Sequence, residues 1–199
     1  MSSSYFAYRS FQPHIFPLAI AVIAIFITLA GSDVQEGLRY ERSRIFTGEI
    51  WRLFTAHFVH LGWIHLLMNL VALGLIWGLA WRALRPSAWL VITLVSMVSV
   101  SVGLVMFNPT LEWYVGLSGM LHGLFLAGIM ANLRSGHRLE IILLLALCGK
   151  VAWEQIYGAL PGSAELAGDA VVVDAHLYGL VGGLLSVLPY VLLQHQGKQ

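Results

Sequence analysis

Charge is what this sequence has least of. Only 11% of its 199 residues are Asp, Glu, Lys or Arg, against roughly 25% in soluble proteins. Hydrophobic residues make up 58%. The few charges are also unevenly placed. None occurs between Arg9 and Asp33, Arg52 and Arg82, Arg85 and Glu112, Glu112 and Arg134, or Asp174 and Lys198. Each gap reaches the roughly 20 residues that cross a bilayer as a helix. An ordinary water-soluble domain is excluded. Cysteine is nearly absent as well, and with Cys148 alone no internal disulfide can form. A net charge of +1 argues against nucleic acid as a partner. Repeats, low-complexity tracts and linkers are missing too, so residues 1–199 read as one domain.

What is present is a series of apolar segments. Beside the charge-free gaps, a further run from Ile141 to Gly149 continues past Lys150 and Glu154 to about Leu160. The expected fold is an all-α polytopic membrane protein with helices at about 14–31, 58–80, 87–107, 117–133, 139–159 and 173–194. That makes about six spans. The first ends in the small residues Leu29-Ala30-Gly31-Ser32 and resembles a signal peptide there. With further spans behind it, it is expected to be a retained helix. Asn108-Pro109-Thr110 breaks the third span. The fourth, starting near Ser118, is short, about 25 Å long, which places Ser118 below the outer surface.

Basic residues set the expected orientation. Arg9, Arg82, Arg85, Arg134, Arg138 and Lys198 fall on one side if both termini share it, which favours N-in, C-in. Residues 32–56 then form a long outer loop of alternating charges and apolar anchors, with Trp51 and Arg52 suited to the headgroup level.

Polar groups at membrane depth are costly and mark functional sites by default. In this orientation His60, His65, Asn69, Ser118, His122 and His176 all fall in the outer half of the bundle, on three different helices. His65 and Asn69 are four apart and share a face. His176, Gly179 and Gly183 form one stripe, and Gly119 and Gly123 offer a matching small face on the Ser118 helix. Small residues let backbones approach closely. Such an approach brings the His176 imidazole to the Ser118 hydroxyl, the arrangement of a serine activated by a histidine base. The Ser118 amide at a helix start, with His65 and Asn69, can donate to an oxyanion. Asp174 lies two residues from His176 and points to the other side, so the expected site is a Ser–His dyad. A zinc site using His57, His60, His65, His122 and His176 competes for the same residues. It is set aside because His60 and His65 are five apart and no carboxylate is evident nearby, so no metal or other cofactor is expected.

These residues carry a resemblance. Trp51-Arg52, the run His60, His65, Asn69, the stretch Gly116-Leu117-Ser118-Gly119, and His176, Gly179, Gly183 together resemble the rhomboid intramembrane serine proteases over nearly the whole chain. The resemblance implies Ser118 as nucleophile and His176 as general base. It implies His65, Asn69 and the Ser118 amide as the oxyanion hole, and His60 as a structural hydrogen-bonder. Rhomboids commonly carry an aromatic four residues after the serine, and here that position is His122. Ser118-Gly119-Met120-Leu121-His122-Gly123 looks like the rhombosortase branch of Gram-negative bacteria. That implies an inner-membrane enzyme opening to the periplasm. Its implied partners are membrane-anchored proteins with a C-terminal Gly-Gly, a helix and a basic tail. Lys150, Trp153 and Glu154 are similar to that branch too. Lys150 and Glu154 are four apart, so a structural ion pair and a substrate-recognition role both stand.

Hydrolysis and transpeptidation differ only in whether water or an amine resolves the acyl-enzyme, and the residues do not choose. A general rhomboid protease of single-span proteins, and a non-enzymatic binder of membrane helices, are the rival readings. A proton-coupled transporter using His176 and Glu154 lacks the paired broken helices that such folds carry.

Overall fold

The computed structural model describes residues 14–133 and 138–196. Arg9, Arg134 and Lys198, used above for orientation, lie outside the described residues. The described residues are mostly helical. Its long helices are α1 (Ile15–Leu29), α5 (Trp63–Ala80), α6 (Pro86–Phe107), α7 (Ser118–Asn132), α8 (Arg138–Tyr157) and α10 (Asp174–Gln196). Short helices α2 (Ser32–Leu38), α3 (Arg42–Phe46), α4 (Arg52–Thr55) and α9 (Ser163–Ala167) lie in the connections. A two-residue strand β1 (Tyr40–Glu41) pairs antiparallel with β2 (Trp113–Tyr114), Tyr40 opposite Tyr114. Among the described residues, α5 and α6 are long and apolar enough throughout to cross a membrane.

The exterior is apolar, unlike that of a protein in water. Phe26, Leu75, Met106, Leu145 and Ile156 on the long helices are 62 to 71% exposed, whereas His57, His60, Asn69, Glu154 and His176 are 5% exposed or less. An apolar exterior, with the polar side chains of the helices turned into an otherwise apolar interior, matches hydrocarbon, where only closed backbone ladders such as helices are stable.

Helices in lipid gain little from the hydrophobic effect and associate through close packing. The packing here is closest between α7 and α10. A Cβ on Gly179 would overlap the Gly119 carbonyl, and one on Gly183 would overlap the Gly123 backbone. α6 closes the third side, since a Cβ on Gly182 would press against Ser96 and Ser99. An apolar core of Leu66, Leu73, Trp77, Trp89, Leu117, Met120 and Leu124 ties α5 and α6 to α7. α8 leans on α7 through Leu147 against Leu126 and Ile129.

The outer segment is a folded layer. Arg42 donates from Nη2 to the Val105 carbonyl at 3.0 Å, which caps the C-terminal end of α6. The sequence suggested Trp51 and Arg52 together at the headgroup level, and the structure separates them. Trp51 is 49% exposed, but Arg52 is 5% exposed and turned inward. Arg52 bonds the Glu49 carboxylate at 2.6 Å and the carbonyls of Glu36 and Arg39 at 2.7 and 2.8 Å. It is the cation that collects the loop's free carbonyls. Residues 52–58, partly assigned above to the second span, form α4 and a 3-10 turn at Ala56–Phe58, so α5 starts only at Trp63. His57 packs in that turn against Ser101 at 3.2 Å. Burial pushes its imidazole down to about 4, so it sits there neutral.

Candidate active site

Ser118 is the first residue of α7. The first amides of a helix have no partner within it, so the Ser118 N–H is free to point at a ligand. The turn that delivers it depends on Gly116. That residue has φ of +119°, and a Cβ there would stand 3.0 Å from the His65 ring. Only glycine takes this backbone without strain. The Gly116 amide donates to the Ala56 carbonyl at 3.1 Å, and Tyr114 Oη donates to the Gly116 carbonyl at 2.9 Å. The first bond holds the turn to the 3-10 segment at Ala56–Phe58, and the second braces the turn from within.

His176 lies two residues into α10. Its Nε2 stands 3.1 Å from Ser118 Oγ. The two residues are 58 apart in sequence and are joined by the glycine crossing of α7 on α10. Asp174 points away, to Asn108, whose Oδ1 also accepts from Tyr178 at 2.9 Å.

The expectation that no carboxylate orients His176 is not what the structure has. Glu154 of α8 places Oε2 2.9 Å from His176 Nδ1. A carboxylate accepts, so Nδ1 carries the proton and the Nε2 lone pair faces the serine hydroxyl. The other Glu154 oxygen takes Lys150 Nζ at 2.7 Å. Lys150 also donates to His122 Nε2 at 2.9 Å and lies 3.3 Å from His176 Nδ1. His122 in turn donates from Nδ1 to the Ser118 carbonyl at 2.7 Å. Its ring stacks on His176, centroids 4.1 Å apart and 18° from parallel.

The donor atoms of His122, Glu154 and His176 lie within 4.8 Å of one another, close enough to hold a cation. The Lys150 ammonium already stands among them. It supplies the positive charge that a metal would bring.

Other expected site residues are placed as follows. His65 and Ser118 share the wall of a cavity of about 330 Å³, with Tyr114 and Val172. His65 Nδ1 is buried without a partner. Asn69 is 5% exposed and donates from Nδ2 to the His65 carbonyl, 3.1 Å away, so its amide rests against its own helix. His60 is fully buried, its Nδ1 bonds the Phe58 carbonyl at 3.2 Å, and its ring meets His65 edge-on at 5.0 Å. Gly119 and Gly179 lie at the crossing, one pair outward of Gly123 and Gly183. Of the three α8 residues singled out, Lys150 and Glu154 join the serine–histidine pair, and Trp153 does not. Trp153 faces outward, 45% exposed, with its ring 4.5 Å from Tyr157.

Chemically, the arrangement can deprotonate a hydroxyl and hold the resulting imidazolium against a carboxylate, beside a cavity of about 330 Å³. Comparison with known proteins points the same way. The family model described as "Rhomboid domain" matches residues 47–193. "Rhomboid protease GlpG" of Salmonella typhi is 29% identical over 173 residues, 84% of this chain and 58% of that protein. The GlpG protein of Salmonella paratyphi A is 31% identical over 108 residues, 54% of this chain and 38% of its own length. The chain thus spans less than two thirds of these relatives.

Proposed function

Because the chain belongs to the rhomboid family, we propose that it is an intramembrane serine endopeptidase of the rhombosortase type. It cuts a membrane-anchored protein at a C-terminal Gly-Gly that precedes a helix and a basic tail. The observation that carries the serine-peptidase reading is the 3.1 Å approach of Ser118 Oγ to His176 Nε2 inside an apolar bundle. A serine and a histidine at membrane depth are costly, and packing alone gives no reason to face one on the other.

The mechanism follows from the geometry. Ser118 Oγ attacks the scissile carbonyl as its proton passes to His176 Nε2, and an acyl C–O bond forms. The oxyanion is held by the Ser118 N–H with His65, and by Asn69 once its amide turns from the His65 carbonyl. His176 gives the proton to the leaving amine as the C–N bond breaks. Water, or an amine in a transpeptidation, then resolves the acyl-enzyme. His60 backs His65, and His122 stacks on the base.

The whole chain acts as one domain in this reading. The long helices α1, α5, α6, α7, α8 and α10 are its six spans, and α7, at 15 residues as short as α1, keeps Ser118 below the surface. Both termini lie in the cytoplasm and the cavity opens to the periplasm of a bacterial inner membrane. The rhombosortase assignment rests on His122 and the Lys150–Glu154 pair. A second reading, a rhomboid protease of other single-span proteins, is favoured by the names of the relatives.

Co-expression with a Gly-Gly-tailed secreted protein separates the two. Mass spectrometry of the substrate is expected to find a new C-terminus at the Gly-Gly, absent with Ser118→Ala. An intact tail together with cleavage of an unrelated single-span protein would favour the second reading.

A further inference from the structure

We infer that Glu154 is a positioning residue for His176, making the site a Ser–His–carboxylate triad whose carboxylate comes from α8, with Lys150 and His122 as its anchors. This rests on the serine–histidine reading above and deepens it.

The contacts form a closed ring. From Ser118 Oγ it runs to His176 Nε2 at 3.1 Å, from His176 Nδ1 to Glu154 Oε2 at 2.9 Å, and from Glu154 Oε1 to Lys150 Nζ at 2.7 Å. It returns from Lys150 to His122 Nε2 at 2.9 Å, and from His122 Nδ1 to the Ser118 carbonyl at 2.7 Å. Both ends are on the same serine. Every polar hydrogen in this path has an acceptor of the right kind, which fixes both imidazole tautomers.

A plain ion pair does not account for this. Two charges that only neutralise each other at a membrane surface would both snorkel outward. Here the Lys150 side chain is 30% exposed, but that of Glu154 is 3% exposed and turned onto the histidine. Burying a carboxylate is costly unless it is paired and fully bonded, and its two oxygens are divided between Lys150 and His176. Asp174 is engaged at Asn108 and does not reach Nδ1.

In the attack, the Ser118 proton moves to Nε2 and His176 becomes an imidazolium. Its new positive charge then lies 2.9 Å from Glu154. The carboxylate holds the Nδ1 proton throughout and is not itself protonated. Lys150 keeps the resting ring of groups neutral overall. Because Glu154 rides on α8, the base is oriented only while α8 is seated against α7 and α10.

The test is covalent labelling of the full chain in detergent with a fluorophosphonate probe, resolved into probe affinity and inactivation rate. Wild type is expected to label and Ser118→Ala to stay unlabelled. If wild type does not label, the serine–histidine reading fails rather than this one. Glu154→Gln presents an amide that can donate to Nδ1 and so select the wrong tautomer. By analogy with a triad carboxylate, its inactivation rate is expected to fall on the order of 10²–10⁴-fold, with probe affinity and thermal unfolding little changed. Glu154→Asp, which keeps the charge, is expected to recover part of that rate. The charge-neutral pair K150M/E154Q removes the ion pair without stranding a lone charge, and is expected to be as slow as E154Q. A wild-type inactivation rate in folded E154Q or in K150M/E154Q overturns the inference. So does an equal loss in probe affinity and rate, which marks a structural lesion.

Discussion

His122 lies flat against His176, ring centroids 4.1 Å apart, while its Nδ1 bonds the carbonyl of Ser118. One residue therefore touches the His176 imidazole with its ring and Ser118 with its edge. A hydrocarbon aromatic at this position keeps the stack and loses both hydrogen bonds.

His122→Phe is accordingly expected to fold and to lose activity. A hydrogen bond to a charged group contributes about 1.5–3 kcal/mol, and Lys150 loses its His122 acceptor. The probe inactivation rate is expected to drop on the order of ten-fold or more, taking that range as barrier height. A rate equal to wild type would reduce His122 to packing.

Gly179→Ala probes the helix crossing. Its Cβ would run into the Gly119 carbonyl, backbone against backbone, with no side chain to move aside. Overpacking of this kind costs about 1–3 kcal/mol or more, and any relief separates His176 from Ser118. Lower thermal stability together with lost labelling is expected. Unchanged stability would mean that α7 and α10 do not cross here.

Gly116→Ala tests the turn ahead of Ser118. The positive φ and the His65 ring together oppose a methyl group. Strain of about 1–3 kcal/mol is expected, with a larger loss in labelling than in stability because the turn sets the Ser118 amide. A loss in stability alone would detach Gly116 from the site.

Arg52→Leu tests the outer layer. The substitution leaves the Glu36 and Arg39 carbonyls without their donor, and leaves the Glu49 carboxylate only Arg44, 3.7 Å away. Leaving buried acceptors without a donor costs about 1–3 kcal/mol. Proteolytic nicking within residues 32–56 is expected to speed up. An unchanged digestion pattern would show that the layer is held by β1 and Tyr40 instead.

Parts of this architecture could be read from the chain and parts could not, for identifiable reasons. Charge-free runs announce helices because lipid tolerates little else, so α1, α5, α6, α7 and α10 lie close to where those runs fall. Ser118 and His176 could be paired on paper because each sits on a helix with glycines four apart. Glu154 could not. Its partner four residues back, Lys150, gave the carboxylate a sufficient local explanation, and nothing in the sequence says how α8 is rotated against α10. The two-residue strands β1 and β2 were equally silent, being too short for any alternation to show. Arg52 misled in the opposite direction, because a basic residue next to an exposed tryptophan reads as a headgroup anchor until its three acceptors are seen.

The most direct measurement is peptide mass spectrometry of the full chain after reaction with a fluorophosphonate. The proposed mechanism predicts a single adduct on Ser118 in wild type, and none in His176→Ala of normal thermal stability. An adduct on another serine, or undiminished Ser118 labelling without His176, would contradict it.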